Sequence, residues 1–370
     1  MKILIAPDKF KGSLTSFEAC KAISDGIKKV SNNPEVVELP MADGGDGFAS
    51  VLQHYLKTGT INCDTVDPLG RAIKASYQWD VNNSTAIIEM AVASGLVLLK
   101  DWEKNPLETS SAGTGLIIKH AIGKGARKII LGLGGSATND GGTGILCALG
   151  FQLQNDHGAG LQASGKNLLY IRKIIPPPVI PKITVEIACD VQNVMYGPQG
   201  AAYVYAPQKG ANREQVEILD KGLKNLAQVL KEQTGKKVWD IPGTGAAGGI
   251  AAGLLPFFDV SMKKGIELIA EVTGIEKKIQ GADLVITGEG KIDDQSNEGK
   301  VVGYVAALAK KYGIPCIGLC GITELDEIGI EKLGLKKIIA LKDGSISSEE
   351  AISSAAALLK EKAMKILDFL

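Results

Sequence analysis

The two ends of the chain share a pattern of short apolar runs that alternate with segments of helical periodicity. The apolar runs that predict strands are 2–6, 35–39, 283–287, 314–320 and 336–341. Apolar side chains at helical spacing predict the helices 17–29, 300–312 and 347–370. Parallel strands need crossover connections of this kind, and such crossovers are right-handed. We therefore expect the five strands in one doubly wound parallel sheet of flavodoxin-like order.

The pattern changes in the middle of the chain, where apolar and polar residues alternate. Residues 61–66, 72–81 and 85–90 predict half-buried strands of an antiparallel or mixed sheet. Apolar runs at 128–131 and 184–189 predict two more strands. Helices are predicted at 48–56, 91–99, 111–122, 145–149, 212–234, 266–273 and 275–279, and strands with loop at 151–181.

The length of the chain indicates more than one domain. With 370 residues it exceeds the size at which a single hydrophobic core usually stops growing. We predict an α/β protein with a discontinuous flavodoxin-like domain, 1–59 and 281–370, and an inserted α/β domain with a mixed sheet, 60–280. The alternative is two consecutive domains that meet near residue 200. The insertion is preferred because the two ends alone share the strand–turn–helix pattern, and because an insertion leaves both connections at one cleft.

The amino-acid composition limits which classes of binding partner and which cellular compartment are expected. Lysine plus arginine equals aspartate plus glutamate, at 41 each, so the formal net charge is zero. This balance does not favour nucleic acid or an anionic membrane as a partner. None of the six cysteines forms a CxxC pair, which is typical of buried thiols in a reducing compartment. Because no apolar stretch has the length of a membrane span or a signal h-region, we expect a cytoplasmic protein.

The segment 131–142, LGLGGSATNDGG, is the strongest candidate for chemistry. It connects a predicted strand to the predicted helix 145–149. A glycine turn in this position leaves backbone N–H groups pointing at one spot where the helix dipole is positive, which suits a phosphate. The simpler interpretation is a tight turn that glycine keeps small for packing.

Polar residues also follow other predicted strands, at the edge where ligands gather in open α/β sheets. Asp8 and Lys11 follow the first strand and suit an anionic substrate. Asp43 and Asp46 lie in a glycine-rich loop after the second strand, where they suit Mg²⁺, substrate hydroxyls or a polar turn. Asp190 follows the apolar strand predicted at 184–189, and its carboxylate suits either a general base or a helix N-cap.

Several catalytic motifs are absent from the sequence. It has no GxxxxGKS or GxxxxGKT P-loop, no GxGxxG after the first strand and no GxSxG elbow. The three histidines are scattered, without metal-ligand spacing. Acid–base chemistry therefore falls to carboxylates or lysine, and Arg71, after the sequence DPLG, suits a carboxylate ligand.

Seven segments together resemble the class I glycerate kinases. They are APDKFKGSLTSFEA (6–19), PMADGGDGF (40–48), DPLGR (67–71), GGSATNDGG (134–142), ACDVQN (188–193), APQKGA (206–211) and TGEGKIDDQS (287–296). The resemblance implies ATP-dependent phosphorylation of D-glycerate, at the 2-hydroxyl and with Mg²⁺, by a protein of two α/β domains. The chain departs from the family pattern at Lys9, Lys291, Ser296 and Val302, where serine, arginine, threonine and proline are common. These departures bear on fine substrate preference more than on activity.

The resemblance and the needs of phosphoryl transfer suggest a role for each candidate residue. Asp190 would accept the hydroxyl proton, and Lys11 and Asp8 are further catalytic candidates. The candidate ligands of the ATP phosphates are Gly134, Gly135, Ser136, Thr138, Asn139 and Lys209. The candidate substrate ligands are Arg71, Asp43, Asp46, Ser13, Asp293 and Lys291. Arg71 or Lys11 would bind the glycerate carboxylate, and Asp43 and Asp190 are the candidate ligands of Mg²⁺.

Two other functions stay open on the sequence alone. One is a kinase of a related hydroxy acid, such as tartronate or erythronate. The other is a non-catalytic sensor of small phosphorylated acids, which would use the same anion-binding turns without a general base. The expected partners are D-glycerate and ATP, without nucleic acid or membrane, and a homodimer is one assembly that the sequence leaves open.

Overall fold

The computed structural model describes residues 1–31, 33–43, 47–293, 296, 300–342 and 346–369. Its strands are β1 (Lys2–Pro7), β2 (Glu35–Glu38), β3 (Gly59–Val66), β4 (Ala72–Asp80), β5 (Thr85–Glu89), β6 (Lys128–Gly132), β7 (Gln152–Gln154), β8 (Gly160–Leu161), β9 (Lys173–Ile175), β10 (Thr184–Ala188), β11 (Asp259–Lys263), β12 (Leu284–Ile292), β13 (Cys316–Thr323) and β14 (Lys337–Ala340). Its α-helices are α1 (Ser16–Val30), α2 (Phe48–Leu56), α3 (Ala91–Ser94), α4 (Ala112–Gly123), α5 (Thr143–Ala148), α6 (Ala201–Tyr205), α7 (Arg213–Thr234), α8 (Ile250–Leu254), α9 (Gly265–Thr273), α10 (Ile275–Gln280), α11 (Val301–Lys311), α12 (Glu327–Leu333), α13 (Ser348–Ser353) and α14 (Ala355–Met364).

The chain divides into two compact units. Residues 1–43, 50–55 and 264–369 form the first, and residues 47–49 and 56–263 form the second. The segment 264–280, which the sequence analysis places in the insert, belongs to the first unit. Helix α10 of this segment is held in the first unit by Glu276. The Oε1 atom of Glu276 lies 2.7 Å from Lys311 Nζ and accepts a hydrogen bond from the Tyr312 hydroxyl at 2.6 Å.

The first unit contains a five-stranded sheet in the order β14-β13-β12-β1-β2, and every neighbouring pair is parallel. Ranked by position in the chain, this order is the flavodoxin-like order 2-1-3-4-5 read from the other edge. The five strands are those that the apolar runs at the two ends predict. The flavodoxin-like fold is therefore confirmed for this unit.

Helices α1 and α14 cover one face of this sheet. Ile3, Ile5 and Ile286 from the strands pack against Ile23 of α1 and Leu359 of α14, and all five side chains are buried. The two helices also approach each other closely at Gly26. A Cβ atom there would lie 2.3 Å from the Lys360 carbonyl oxygen, so the position accepts no side chain without a shift of the backbone.

The second unit is built on a six-stranded mixed sheet in the order β11-β10-β6-β5-β4-β3. β3, β4 and β5 pair antiparallel, whereas β5, β6, β10 and β11 pair parallel. The mixed sheet predicted for the insert is confirmed. Residues 151–181, where strands and loop are predicted, include the small antiparallel sheet β8-β7-β9.

The register of the second sheet brings three loops to one edge. Gly132 at the end of β6 lies opposite Glu89 at the end of β5 and opposite Ala188 at the end of β10. Because these three strands are parallel and end level with one another, the segments that follow them begin side by side. The sequence analysis found candidate residues after two of these strands.

Four elements differ from the sequence prediction. The helix predicted at 91–99 ends at Ser94, because the extended backbone of Gly95 forms a β-bridge with Ser136, and a short 3₁₀ turn, Leu96–Leu98, follows. The closing helix is interrupted at Ser354, where α13 ends and α14 begins. Strand β11 and helix α12 are short and carry several charged residues, so no apolar run indicated them.

Candidate active site

The glycine loop, residues 134–136, follows strand β6 and lies at the edge of the second sheet. Gly134 and Gly135 are exposed, whereas Ser136 and the four residues after it are buried. The backbone of the loop is held by the chain after β5. Leu96 N–H donates to the Gly135 carbonyl at 2.9 Å, and Ala137 N–H donates to the Ser94 carbonyl at 2.9 Å. The exposed glycines thus form the tip of a loop with a fixed base.

Backbone N–H groups at the N-terminus of helix α5 donate hydrogen bonds to a carboxylate of the same chain, that of Asp140. Asp140 is fully buried and accepts hydrogen bonds from both the backbone N–H and the hydroxyl of Ser111, each at 2.8 Å. It also accepts the N–H groups of Gly142 and Gly144, each at 3.1 Å. The sequence analysis expected such N–H groups to be free for a phosphate. That expectation is wrong for these two donors, and it leaves the exposed tip of the glycine loop as the place for an anion.

Lys209 lies beneath the glycine loop. Its side chain comes from the 3₁₀ turn Pro207–Lys209 and is 2% exposed. The Nζ atom donates to Ser136 Oγ at 2.9 Å and to the Thr138 carbonyl at 2.7 Å. Burial lowers the pKa of Lys209 to about 7, against an opposing effect of the Asp140 carboxylate. No carboxylate of the described residues lies within ion-pair distance of this nitrogen.

Two buried polar side chains just after the glycine loop lack a hydrogen-bond partner among the described residues. They are the side chain of Thr138, at its Oγ1 atom, and that of Asn139, at both the oxygen and the nitrogen of its carboxamide. Both residues are fully buried. The backbone on which they stand is packed against Gly248, where a Cβ would lie 2.3 Å from the Thr138 carbonyl oxygen. Unpaired polar atoms in a buried place are rare in native proteins, so they point to a group that binds there.

Asp190 follows strand β10 at the same edge of the sheet, and it is exposed. Asn193, three residues on, is fixed from two sides. Its Oδ1 accepts the Tyr205 hydroxyl at 2.5 Å, and its Nδ2 donates to the Gln199 carbonyl at 2.8 Å. Tyr205 is the last residue of α6, and the turn that follows this helix carries Lys209. One short segment therefore contacts both the loop of Asp190 and the glycine loop.

Arg71 binds carboxylates of its own chain. Its Nε donates to Asp67 Oδ2 at 2.5 Å, its Nη1 donates to Glu103 Oε1 at 2.6 Å, and a longer bond of 3.4 Å joins Nη2 to the Leu98 carbonyl. The guanidinium thus holds the β3–β4 turn to the 3₁₀ turn at 101–103. A role in substrate binding would require it to exchange one of these partners.

In the first unit, Asp8 follows β1, Asp43 comes after β2, and Glu289 lies in the second half of β12, the other neighbour of β1 in the parallel sheet. Burial first, then the charge of Asp43 and, to a smaller extent, that of Glu289, raise the pKa of Asp8 to about 7, although Lys9 opposes this. Burial also raises the pKa of Glu289, whose Oε1 accepts the Ser296 hydroxyl at 2.6 Å. The three carboxylates form a region of concentrated negative charge.

The remaining candidates of the first unit differ in their surroundings. Lys11 is exposed in the turn after β1, and the Ser13 hydroxyl of the same turn donates to the Phe10 carbonyl at 3.0 Å. Lys291 Nζ lies 3.3 Å from Asp293 and 3.0 Å from Glu324, so these side chains pair with one another. Asp46, the last candidate, lies outside the described residues.

The structure adds three residues that the sequence analysis did not single out: Asp140, Tyr205 and Glu289. Asp140 stands in the glycine-rich segment, but its partner Ser111 is 29 positions away in the chain. Tyr205 carries no motif signal. Glu289 had a signal, because the sequence GEG that contains it follows the predicted strand 283–287, as Asp8 follows the strand predicted at 2–6.

Two features are absent from the described part of the chain. No group of three or more histidine, cysteine, aspartate or glutamate residues is placed there to hold a metal ion. None of the helices in that part is both long and apolar enough to cross a membrane.

Comparison with known proteins identifies the family. Residues 3–370 match the model of the glycerate kinase family. The chain is 40% identical over 367 residues to a glycerate kinase of Halalkalibacterium halodurans, with 98% of this chain and 97% of the relative covered. It is 38% identical over 359 residues to a glycerate 2-kinase of Escherichia coli, with 96% and 94% covered. A crystal structure described as a glycerate kinase 2 of Salmonella typhimurium LT2 superposes with a TM-score of 0.87 at 36% identity, covering 100% of this chain and 97% of that one.

The fold and these matches define the class of the protein: an enzyme of two α/β units that transfers a phosphoryl group to an alcohol. The chain belongs to the glycerate kinase family. Because it is a glycerate kinase, the non-catalytic sensor that the sequence left open is set aside.

Proposed function

We propose that the protein uses ATP to phosphorylate D-glycerate at its 2-hydroxyl, giving 2-phosphoglycerate. The observation that carries this proposal is Lys209, a buried lysine without a carboxylate partner among the described residues, set directly beneath an exposed pair of glycines. Glycines let a ligand approach the backbone, and a lysine behind them can supply positive charge to a bound anion. The name of the E. coli relative supports the 2-position.

In this proposal the ATP phosphates bind at the glycine loop. Gly134 and Gly135 offer backbone N–H groups at an exposed tip, and the Ser136 hydroxyl stands between that tip and Lys209. The unpaired side chains of Thr138 and Asn139 would complete the polar lining. Preorganised donors of this kind stabilise the charge that develops on a transferred phosphoryl group.

The proposed general base is Asp190, which lies on the loop after β10, next to the glycine loop. In the register of β6 and β10 the two loops begin level with each other. In-line transfer requires the general base and the ATP phosphates to lie close together. Asp8 is the second candidate. It is buried, and its pKa of about 7 suits a group that accepts a proton near neutral pH.

Mg²⁺ would be bound by Asp43, in the first unit. The carboxylates of Asp8, Asp43 and Glu289 give the first unit an excess of negative charge that a hard cation would relieve, and oxygen ligands of this type suit Mg²⁺. When bound, the ion would neutralise charge on the phosphates. Mg²⁺ commonly takes only one or two protein carboxylates beside phosphate oxygens, so a larger protein ligand set is not required.

The glycerate carboxylate is assigned to Lys11, because the guanidinium of Arg71 already binds two carboxylates. Replacing Lys11 by methionine should raise KM for D-glycerate about 10- to 100-fold, the usual cost of losing a charge-assisted hydrogen bond. Steady-state kinetics with D-glycerate as the varied substrate measures this. Lys29→Met, at an exposed position of α1, is the matched control and should leave KM unchanged.

Arg71 provides the contrasting case. Arg71→Met should lower the melting temperature, because it frees Asp67 and Glu103, and should leave KM for D-glycerate close to that of the wild type. A large rise of KM in Arg71→Met together with an unchanged KM in Lys11→Met would reverse the assignment.

The reaction itself is tested by product analysis. With D-glycerate, ATP and MgCl₂ the protein should form ADP and an organic phosphate in equal amounts, and ³¹P NMR of the product should show 2-phosphoglycerate. Formation of 3-phosphoglycerate would contradict the proposed regiochemistry. Faster turnover with tartronate or erythronate than with D-glycerate would favour a kinase of a related hydroxy acid.

The cytoplasm is the proposed location. All six cysteines are free thiols, and five of them are buried. Thiols in this state are typical of proteins in reducing compartments, where ATP is also present.

A further inference from the structure

Lys209 has hydrogen-bond partners but no counter-charge of its own. Its two acceptors, Ser136 Oγ and the Thr138 carbonyl, are both uncharged. An ammonium group buried without a paired anion is costly, whereas a neutral amine can satisfy the same two acceptors with its two hydrogens. The empty site therefore favours loss of the proton from Lys209.

An anion at the glycine loop would reverse this preference. A phosphate at the tip would be separated from Nζ by little more than the Ser136 hydroxyl, to which the lysine donates at 2.9 Å. In such a buried place an ion pair is weakly screened, so the charged form of lysine becomes the favoured one. The geometry thus makes the protonation of one side chain depend on whether the loop is occupied.

We propose that Lys209 is a proton-linked positioning residue: it takes up one proton from solvent when a nucleotide phosphate binds at the glycine loop, and the resulting ammonium then fixes the loop in its binding geometry. The amine becomes an ammonium through the lone pair on Nζ, and the proton comes from the buffer. Lys209 acts through Ser136 and Thr138. This inference rests on the proposed place of the ATP phosphates.

The other charged and titratable groups around Lys209 do not offset the effect of its burial. The Asp140 carboxylate favours the charged form of Lys209, but its effect is smaller than that of burial, and it is engaged by four hydrogen bonds at the start of α5. Lys104, whose backbone packs against the turn that carries Lys209, pairs with Asp101 at 2.6 Å. Tyr205 on α6 stays neutral, because burial raises its pKa.

The test is isothermal titration calorimetry of ADP into the full-length protein at pH 8 with excess MgCl₂, in buffers of different ionisation enthalpy such as Tris and HEPES. The slope of the binding enthalpy against the buffer's ionisation enthalpy gives the number of protons exchanged. Since burial lowers the pKa of the free lysine to about 7, most of it is neutral at pH 8, and uptake approaching one proton is expected. The phosphates of ADP are already ionised at this pH, so they contribute little.

The sign of the pH dependence follows from the same linkage. Binding raises the pKa of Lys209, so the affinity for ADP is fully present below about pH 7 and falls as the pH rises through the range between the free and the bound value. The dissociation constant should increase about fivefold from pH 7 to pH 8.

Two variants assign the proton to its residue. Lys209→Met keeps the length and apolar stem of the side chain, and proton uptake should be near zero at pH 8. Lys119→Met, at an exposed position of α4, should keep the wild-type uptake. Uptake that persists in Lys209→Met, for example at Asp8, would overturn the proposal.

The wild-type protein alone can also overturn it. ADP that binds with no proton uptake at pH 8 would refute the role of Lys209 and leave the glycerate kinase reaction intact, even if Lys209→Met fails to fold. Absence of ADP binding to the wild type would instead refute the proposed nucleotide site, and this inference with it.

Discussion

Asp190→Asn should reduce kcat about 100- to 1000-fold, with a change in melting temperature of no more than about 2 °C. The rate effect is large because an amide cannot accept the hydroxyl proton of glycerate. The stability effect is small because Asp190 is exposed on the loop after β10. Single-turnover and steady-state kinetics measure the first quantity, and a thermal melt measures the second.

Asp259→Asn is the matched control for this substitution. Asp259 begins β11, at the opposite end of the same sheet, and is exposed like Asp190. Its carboxylate accepts only the Thr184 hydroxyl, at 3.2 Å, among the bonds described for it. The control should keep wild-type turnover. Normal turnover in Asp190→Asn would show that the base is elsewhere, and loss of activity in Asp8→Asn would then identify the second candidate.

Asp140→Ala should have the largest effect on stability, about 3–5 kcal/mol of the free energy of unfolding. The substitution leaves the N–H and hydroxyl of Ser111 and the N–H groups of Gly142 and Gly144 without their buried acceptor. It also removes the carboxylate that favours the charged form of Lys209. Urea denaturation followed by circular dichroism measures the loss.

Asp326→Ala provides the control of the same type. Asp326 also caps a helix, but it is exposed and accepts a single N–H, that of Gly329, at 2.8 Å. Its loss should cost about 1 kcal/mol, as for an ordinary N-cap. If Asp140→Ala costs no more than Asp326→Ala, the buried network around the glycine loop is not the support that the structure indicates.

Much of the fold follows from the apolar pattern of the sequence. The strands at the two ends were predictable because each is a short, largely apolar run between turn residues, and right-handed crossovers leave few ways to arrange them. β11 was not predictable. Its residues are only partly buried at the edge of a sheet, and its position is set by pairing with β10, a partner far away in the chain.

The loops that form the candidate active site were predictable from the sequence, but the contacts between their side chains were not. The glycines of the segment 131–142 and the acid after β10 carry local signals of a ligand site. The contact of Lys209 with Ser136 joins residues 73 positions apart, so no local pattern contains it. Arg71 is the reverse case: a residue chosen for its chemistry is already paired with Asp67 and Glu103, and its predicted role as a substrate ligand stays a prediction.

The most direct measurement is a crystal structure of the protein with a non-hydrolysable ATP analogue, MgCl₂ and D-glycerate. We expect the phosphates within about 3.2 Å of the N–H groups of Gly134 and Gly135, with the 2-hydroxyl of glycerate facing both the terminal phosphate and Asp190. Phosphates bound on a surface that does not include the glycine loop, or a glycerate hydroxyl remote from Asp190 and Asp8 alike, would contradict the account.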